Sequence, residues 1–241
     1  MKISVVVPAF NEEKLIASTL ESIRTAATAF TERGWEWEIV VCDNNSTDRT
    51  GDLARAAGAK VVFEPKNQIA RARNAGAAVA AGEWLLFVDA DSRPSRELFT
   101  DLGARVEEGR FLGGGSTVQL DERHFLASIC IFAWNTISRV FKWAAGSFVL
   151  CEAAAFQAIG GFNEALYAAE EIDFSQRLKR EARRRGKRVV ILHRHPLVTS
   201  ARKIHLYSPW EYAWFMVKSV MTLGRPMRTR EECPIWYDGR R

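Results

Sequence analysis

Within its first 81 residues the chain repeats one pattern three times: a short β-branched run, a polar loop, then a stretch with helical spacing. The first run, Ile3-Ser4-Val5-Val6-Val7, stops at Pro8, and Asn11 stands as N-cap for a helix carrying Leu15, Ile16, Thr19, Leu20 and Ile23. The second, residues 38–42, leads through Asp43-Asn44-Asn45-Ser46-Thr47-Asp48 into a helix through Leu53 and Ala56 that ends near Gly58. The third, residues 60–63, is followed after Pro65 by an alanine-rich helix over residues 67–81. Strands and helices alternating at this spacing predict an α/β fold: right-handed crossovers and a mainly parallel central sheet flanked by helices.

The fourth run is Trp84-Leu85-Leu86-Phe87-Val88, and it ends in Asp89-Ala90-Asp91. Five apolar residues between Gly82 and Pro94 read as a strand buried on both faces. In an extended chain, residues two apart point the same way, so Asp89 and Asp91 can converge on one ligand across roughly 7 Å of backbone. Paired carboxylates repel unless a cation or donor groups sit between them. That calls for a hard divalent metal, Mg²⁺ or Mn²⁺, held by oxygens and completed by phosphates. The competing reading is a plain acidic turn, since Asp is common where strands end and Ser95 can cap the next helix unaided. In parallel sheets ligands sit beyond the carboxyl ends of the strands, where the loops at 8–12, 43–48 and 89–91 share one rim. No Gly-x-Gly-x-x-Gly or Walker pattern follows the first strand, so phosphates fall to a metal and basic side chains.

With 241 residues, 47% of them hydrophobic, the chain can bury a substantial core in one large domain over residues 1–206, with residues 207–241 appended. The net charge of +5 suits anionic partners such as nucleotides or a lipid surface. It does not suit nucleic acid, because the acids are interleaved and the basic excess gathers at residues 179–188 and in the tail. Arg183-Arg184-Arg185 reads as the solvated C-terminal end of a helix. Cys42, Cys130, Cys151 and Cys233 lack metal-ligand spacing and fit reduced thiols in a cytoplasmic protein. The apolar window 125–141 is interrupted by Asn135 and Arg139 and is short for a bilayer span, so a core or interfacial helix is expected. From Tyr207 the tail is aromatic and then basic, with Trp210, Tyr212, Trp214, Phe215 and Met216 before Lys218, Arg225, Arg228 and Arg230. Such a segment packs on the domain, on a second subunit of a homo-oligomer, or peripherally on the inner face of a membrane.

The second half is less regular. Residues 95–108 form an amphipathic helix with Leu98, Leu102 and Val106 inward. Gly113-Gly114-Gly115 within the run 111–120 marks a bulge, a close approach by a ligand, or a loop before a strand. A short helix at 153–159 closes at Gly160-Gly161. Glu170, Glu171 and Asp173 occupy the first turn of a further helix, where the macrodipole favours acids. Phe174 and Leu178 bury one side of that helix, and a carboxylate so fixed over the rim can serve as general base. Residues 188–192 make a last core strand leading to His193, His195 and Thr199-Ser200-Ala201-Arg202-Lys203.

Six segments in order carry a resemblance: Val-Val-Val-Pro-Ala-Phe-Asn-Glu-Glu (5–13), Cys-Asp-Asn-Asn-Ser-Thr-Asp-Arg-Thr (42–50), Ala-Arg-Asn-Ala-Gly (72–76), Phe-Val-Asp-Ala-Asp (87–91), Gly-Gly-Phe-Asn-Glu (160–164) and Glu-Glu-Ile-Asp-Phe (170–174). Together they resemble the family-two inverting glycosyltransferases over about residues 3–205. The resemblance implies a Rossmann-like GT-A fold, a nucleoside-diphosphate sugar donor, a divalent metal, and an acceptor that is a saccharide, lipid-linked or small molecule. It implies that Pro8, Phe10 and Glu12 border the nucleoside, that Asp43 bonds the base or ribose, and that Arg71 and Asn74 touch the donor. Asp89 would bond the ribose or metal-bound water, and Asp91 would ligate the metal. Two departures stand out. The base position of the family, usually the Asp of a Glu-Asp pair, holds Glu171, which needs a backbone about 1.5 Å further back, so Glu170 stays open as the alternative. Where many relatives place a late metal-binding His, this chain has Arg202 and Lys203, expected to hold the pyrophosphate, while His193 and His195 read as structural. A nucleotide-sugar-binding protein that kept the fold and lost the reaction is the competing functional class.

Overall fold

The computed structural model describes residues 1–122, 125–202, 228–231 and 233. In chain order the elements are β1 (Lys2–Ala9), α1 (Ile16–Thr31), β2 (Glu36–Asp43), α2 (Thr50–Ala56), β3 (Lys60–Phe63), α3 (Ile69–Ala78), β4 (Trp84–Val88), β5 (Ser92–Arg93), α4 (Arg96–Glu107), β6 (Phe111–Leu120), α5 (Phe125–Phe141), β7 (Phe148–Glu152), α6 (Ala153–Ala158), α7 (Glu170–Arg184) and β8 (Arg188–Thr199). One eight-stranded sheet has the order β3-β2-β1-β4-β7-β6-β8-β5. β1 pairs in parallel with β2 and β4, and β2 with β3, so the first ninety residues build the expected crossover half. β7 runs antiparallel to both β4 and β6, while β6 and β8 are parallel. The sheet is therefore mainly parallel, with β7 reversed in its middle and the short β5, antiparallel to β8, reversed at its edge.

Alternating residues of β4 sort the core into two layers. Trp84, Leu86 and Val88 join the cluster that includes Leu20, Ile23, Phe30, Phe99 and Leu102, beneath α1 and α4. Leu85 and Phe87 join Ala70, Phe156, Phe162, Phe174 and Leu178, beneath α3, α6 and α7. This parity aims the residues that follow β4 on the Phe87 side toward α3 and α7.

Several local expectations are corrected. β1 runs through Pro8 to Ala9, which is tolerated because β4 contacts β1 only as far as Val6 and leaves Pro8 with β2 alone. Asn11 is not a helix cap: α1 begins at Ile16 after Leu15, without a side-chain cap. The capping expected of Ser95 is present, its hydroxyl accepting from the Leu98 N–H of α4 at 3.2 Å. The glycines of the 111–120 run lie inside β6, and what approaches them is protein: a Cβ on Gly114 would stand 1.8 Å from the Val190 carbonyl oxygen. β8 extends well past residue 192, because three extra residues around 193–196 are looped out between the pairs Ser116↔Leu192 and Val118↔Leu197. The expected C-terminal segment, residues 207–241, lies outside the described residues except for 228–231 and 233. Among the described residues no helix is long and apolar enough to cross a membrane. Cys42, Cys151 and Cys233 are buried free thiols and Cys130 is an exposed one.

Candidate active site

The rim forms where β1, β2 and β4 end, and its first two loops are stitched to each other. Asn11, at φ 52°, turns the chain so that its side-chain oxygen accepts the Thr47 N–H at 2.8 Å while its own N–H donates to the Ser46 hydroxyl at 3.0 Å. Asp43, the last residue of β2, accepts from the Ser46 N–H at 3.0 Å. Glu12 is buried, and its N–H donates to the Thr50 hydroxyl at 2.7 Å. Pro8, Phe10, Glu12 and Asp43 thus belong to one connected rim segment.

Past Val88 the chain turns at once, with the Ser92 N–H donating to the Asp89 carbonyl at 3.0 Å. Asp89 and Asp91 are therefore not two steps along an extended strand, and each meets its own cation. Arg73 of α3 donates to the Asp89 carboxylate at 3.2 Å. The same nitrogen donates to the Gly146 carbonyl at 2.8 Å, and the other terminal nitrogen donates to Glu170 at 2.6 Å. The guanidinium is almost wholly buried, 5.1 Å over the ring of Phe162. Burial opposes its charge, but Asp89, Glu170 and Glu171 outweigh that and hold it firmly protonated. Gly146 completes the seal: a Cβ there would lie 3.2 Å from Arg73 and 3.7 Å from the Glu171 carboxyl.

Glu170 and Glu171 open α7, and Ala169 before them takes the left-handed conformation, φ 60°. A left-handed residue is costly for any side chain beyond glycine. Here it swings the start of α7 so that its first carboxyls face the rim. Glu170 is spent on Arg73. Glu171 is pushed well above the ordinary carboxylate range, first by burial and then by the neighbouring Glu170 charge, with Arg73 pulling in the other direction. Asp173, the third acid, pairs with Arg177 at 2.7 Å, and Arg177 in turn holds the carbonyls of Ile159 and Gly161. It fastens the Gly160-Gly161 turn and stands apart from the rim.

Arg202 donates to Glu12 at 2.7 Å and comes within 3.9 Å of Asp91. Burial again opposes its charge, and Glu12 and Asp91 restore it. Lys203 lies outside the described residues. Arg71 is turned away from Asp89, bonding Glu64 at 3.1 Å and Glu164 at 2.7 Å. Asn74 clamps the 160–164 segment, donating to the Phe162 carbonyl and accepting from the Phe162 N–H, each at 2.9 Å. His195 contacts Asp101 on α4 at 3.0 Å, away from both carboxylates. Among the described residues no group of three or more His, Cys, Asp or Glu side chains could enclose a metal alone. Two carboxylates do suit Mg²⁺ or Mn²⁺, which bind through one or two acids and take their other ligands from phosphate oxygens and water.

The residue that reasoning from sequence missed is Arg73. Ala70, Arg73 and Gly76 are all buried at helical spacing on α3, whereas Arg71 sits about 200° away around the helix. That apolar register was the available signal.

A family model described as glycosyl transferase family 2 matches residues 4–154. The poly(ribitol-phosphate) beta-N-acetylglucosaminyltransferase TarS of Staphylococcus aureus (strain Mu50) is 32% identical over 114 residues, 45% of this chain and 19% of that protein. The chain spans well under two thirds of the curated relatives it matches. Among solved structures, S. aureus TarS 1–349 in complex with UDP-GlcNAc has a TM-score of 0.65 at 22% identity, over 93% of this chain and 66% of that one. The mannosyltransferase PcManGT from Pyrobaculum calidifontis in complex with GDP-Man and Mn²⁺ has a TM-score of 0.64 at 19% identity, over 93% and 62%. These likenesses show the GT-A fold.

Proposed function

Because the chain belongs to glycosyl transferase family 2, we propose that it moves a sugar from a nucleoside-diphosphate sugar to an acceptor hydroxyl by a single, inverting displacement with Glu171 as general base. The observation that carries this is the buried Arg73, which ties Asp89 at the end of β4 to Glu170 at the start of α7. That tie supports a two-part site: a donor half at the ends of β1, β2 and β4, and a base half at the head of α7.

As the bond from the anomeric carbon to the diphosphate breaks, the nucleoside diphosphate leaves with the bonding electrons, and the acceptor oxygen attacks from the opposite face. The acceptor hydroxyl must lose its proton in that step. Glu171 takes it once its own carboxyl has ionised, a step that burial and the Glu170 charge move to higher pH; the same raised proton affinity then makes it a stronger base than a solvated carboxylate, and transfer is expected to rise toward alkaline pH. Glu170, bonded to Arg73 at 2.6 Å, fixes the head of α7 and with it the position of Glu171. Asp91, with Asp89, would hold a divalent ion, which when bound spreads the charge of the leaving diphosphate. Arg202 supplies a second positive charge at that end, and Pro8, Phe10, Glu12 and Asp43 would border the nucleoside.

The test is thermal stabilisation by a series of nucleotide sugars with and without Mn²⁺, followed by transfer assays on the donor that binds. Metal-dependent binding, with transfer lost in Glu171→Gln while donor binding is kept, is the expected result. Unimpaired turnover in Glu171→Gln would remove Glu171 as the base.

A further inference from the structure

Of the eight large hydrophobic side chains exposed among the described residues, six lie on α5: Phe125, Ile129, Phe132, Ile137, Val140 and Phe141. Four of the six, Phe125, Ile129, Phe132 and Val140, share one face, while Ile137 and Phe141 lie about 60° and 100° beyond it. At 3.6 residues per turn, Phe125, Ile129, Phe132, Thr136 and Val140 fall within an arc of about 80° along a stripe roughly 22 Å long. Phe125, Phe132 and Val140 are 80%, 75% and 67% exposed. The opposite face is pinned to the domain. Ile131 and Trp134 pack against the core, and the Asn135 side chain bonds both the N–H and the carbonyl of Val118, at 3.0 and 2.8 Å. The outward direction of the stripe is therefore fixed by the fold.

We infer that α5 lays this stripe into the surface of a bilayer carrying anionic lipids. A 17-residue helix with apolar residues on its outer as well as its inner face belongs in a core or at a membrane. From Phe125 to Trp143 the chain has no carboxylate, and its two charges are cations: Arg139, exposed on the flank of the stripe, and Lys142, exposed just past the helix end. That is the charge sign an acidic headgroup layer requires. The acids nearest in sequence, Asp121 and Glu122, precede the helix, and Asp121 is engaged by Arg93 at 3.2 Å. A second protein copy is the poorer fit, because a strip of about 22 by 10 Å is small beside the roughly 800 Å² per partner that a stable dimer buries. The helix lies on the membrane: no helix of the described residues can cross one.

The full chain is to be co-sedimented with phosphatidylcholine vesicles, with and without phosphatidylglycerol. Binding to the phosphatidylglycerol vesicles is expected, weakened by salt and by Arg139→Glu, and cut about tenfold or more in the double variant Phe132→Ser, Val140→Ser. Both serines replace exposed side chains, so a thermal melt matching that of the unaltered chain checks that the fold is intact. The inference is overturned if the chain leaves both vesicle types unbound, or if the double variant binds as well as the original. It is equally overturned if the vesicle-free chain is a dimer that the double variant dissolves. None of these readouts uses turnover, so the outcome is separate from the transferase reading.

Discussion

Replacing Glu171 by Gln should make the protein more stable at alkaline pH while slowing the proposed transfer. In the folded chain, burial and then the Glu170 charge raise the proton affinity of Glu171, against a smaller opposing pull from Arg73. Between the ordinary carboxylate range and the raised value, the folded protein holds a proton that the unfolded chain has released. Stability therefore falls as pH rises through that window. Glutamine carries no charge at any pH and removes the penalty. Glu171 is pushed up to about 8, but it is only partly buried, so with solvent screening the gain at about pH 8 is about 3 kcal/mol. For a chain of this length that is roughly 6–12 °C in Tm. The advantage should shrink to nothing near pH 4, where Glu171 is protonated in both states. Sugar transfer should fall about 10²- to 10⁴-fold. Glu170→Gln is the contrasting partner, because it strips Arg73 of its closest carboxylate and should cost about 3 kcal/mol, the lower end for a broken buried pair. Asp89 and the Gly146 carbonyl still face that guanidinium. Calorimetric melts of both variants from pH 4 to 8 decide the matter. A Glu171→Gln protein less stable than the original at alkaline pH, or a difference that does not change with pH, refutes the reasoning.

Ala169→Gly relieves the left-handed residue before α7 and should raise stability by about 0.5–1 kcal/mol in urea unfolding, with turnover reduced as the head of α7 loosens; a loss of stability contradicts it. Gly114→Ala drives a methyl into the Val190 carbonyl and should cost about 3 kcal/mol or more, read as a lower denaturation midpoint. Arg202→Ala should weaken nucleoside-diphosphate affinity about tenfold or more by titration calorimetry, since it removes a charge-assisted contact. Asp91→Asn should abolish the dependence of that affinity on Mn²⁺, and a variant whose binding still responds to the metal would exclude Asp91 as its ligand.

The first half of the fold was legible because each β-loop-α unit announces itself locally: a β-branched run, a polar turn, then helical spacing. The strand at Trp84 through Val88 stands where the apolar run placed it. What local pattern does not carry is partnership at long range. Phe148 to Cys151 is a short apolar run like that of β4, and nothing in it tells that it inserts antiparallel between β4 and β6. Asn11 has the chemistry of a cap but spends it on Thr47, 36 residues away. Arg71 and Arg73 are chemically identical and two residues apart, and only the register of buried small residues on α3 separates the inward one from the outward one. The carboxylates were found because acids at strand ends and helix starts are conspicuous; the cation joining them was not, because it hides among alanines.

The Arg73 junction also sets an order of assembly on the ribosome. Arg73 and its Asp89 partner are 16 residues apart, but Glu170 is 97 residues further along than Arg73. At about 5–20 residues per second, that separation is roughly 5–20 s of synthesis. Once Asp89 has been made and until Glu170 follows, the nascent chain has its first four strands in hand and a guanidinium that cannot be buried without leaving half its charge unmatched. The layer beneath α3, α6 and α7 is therefore expected to close only after α7 emerges, once the segment after β4 has entered the sheet.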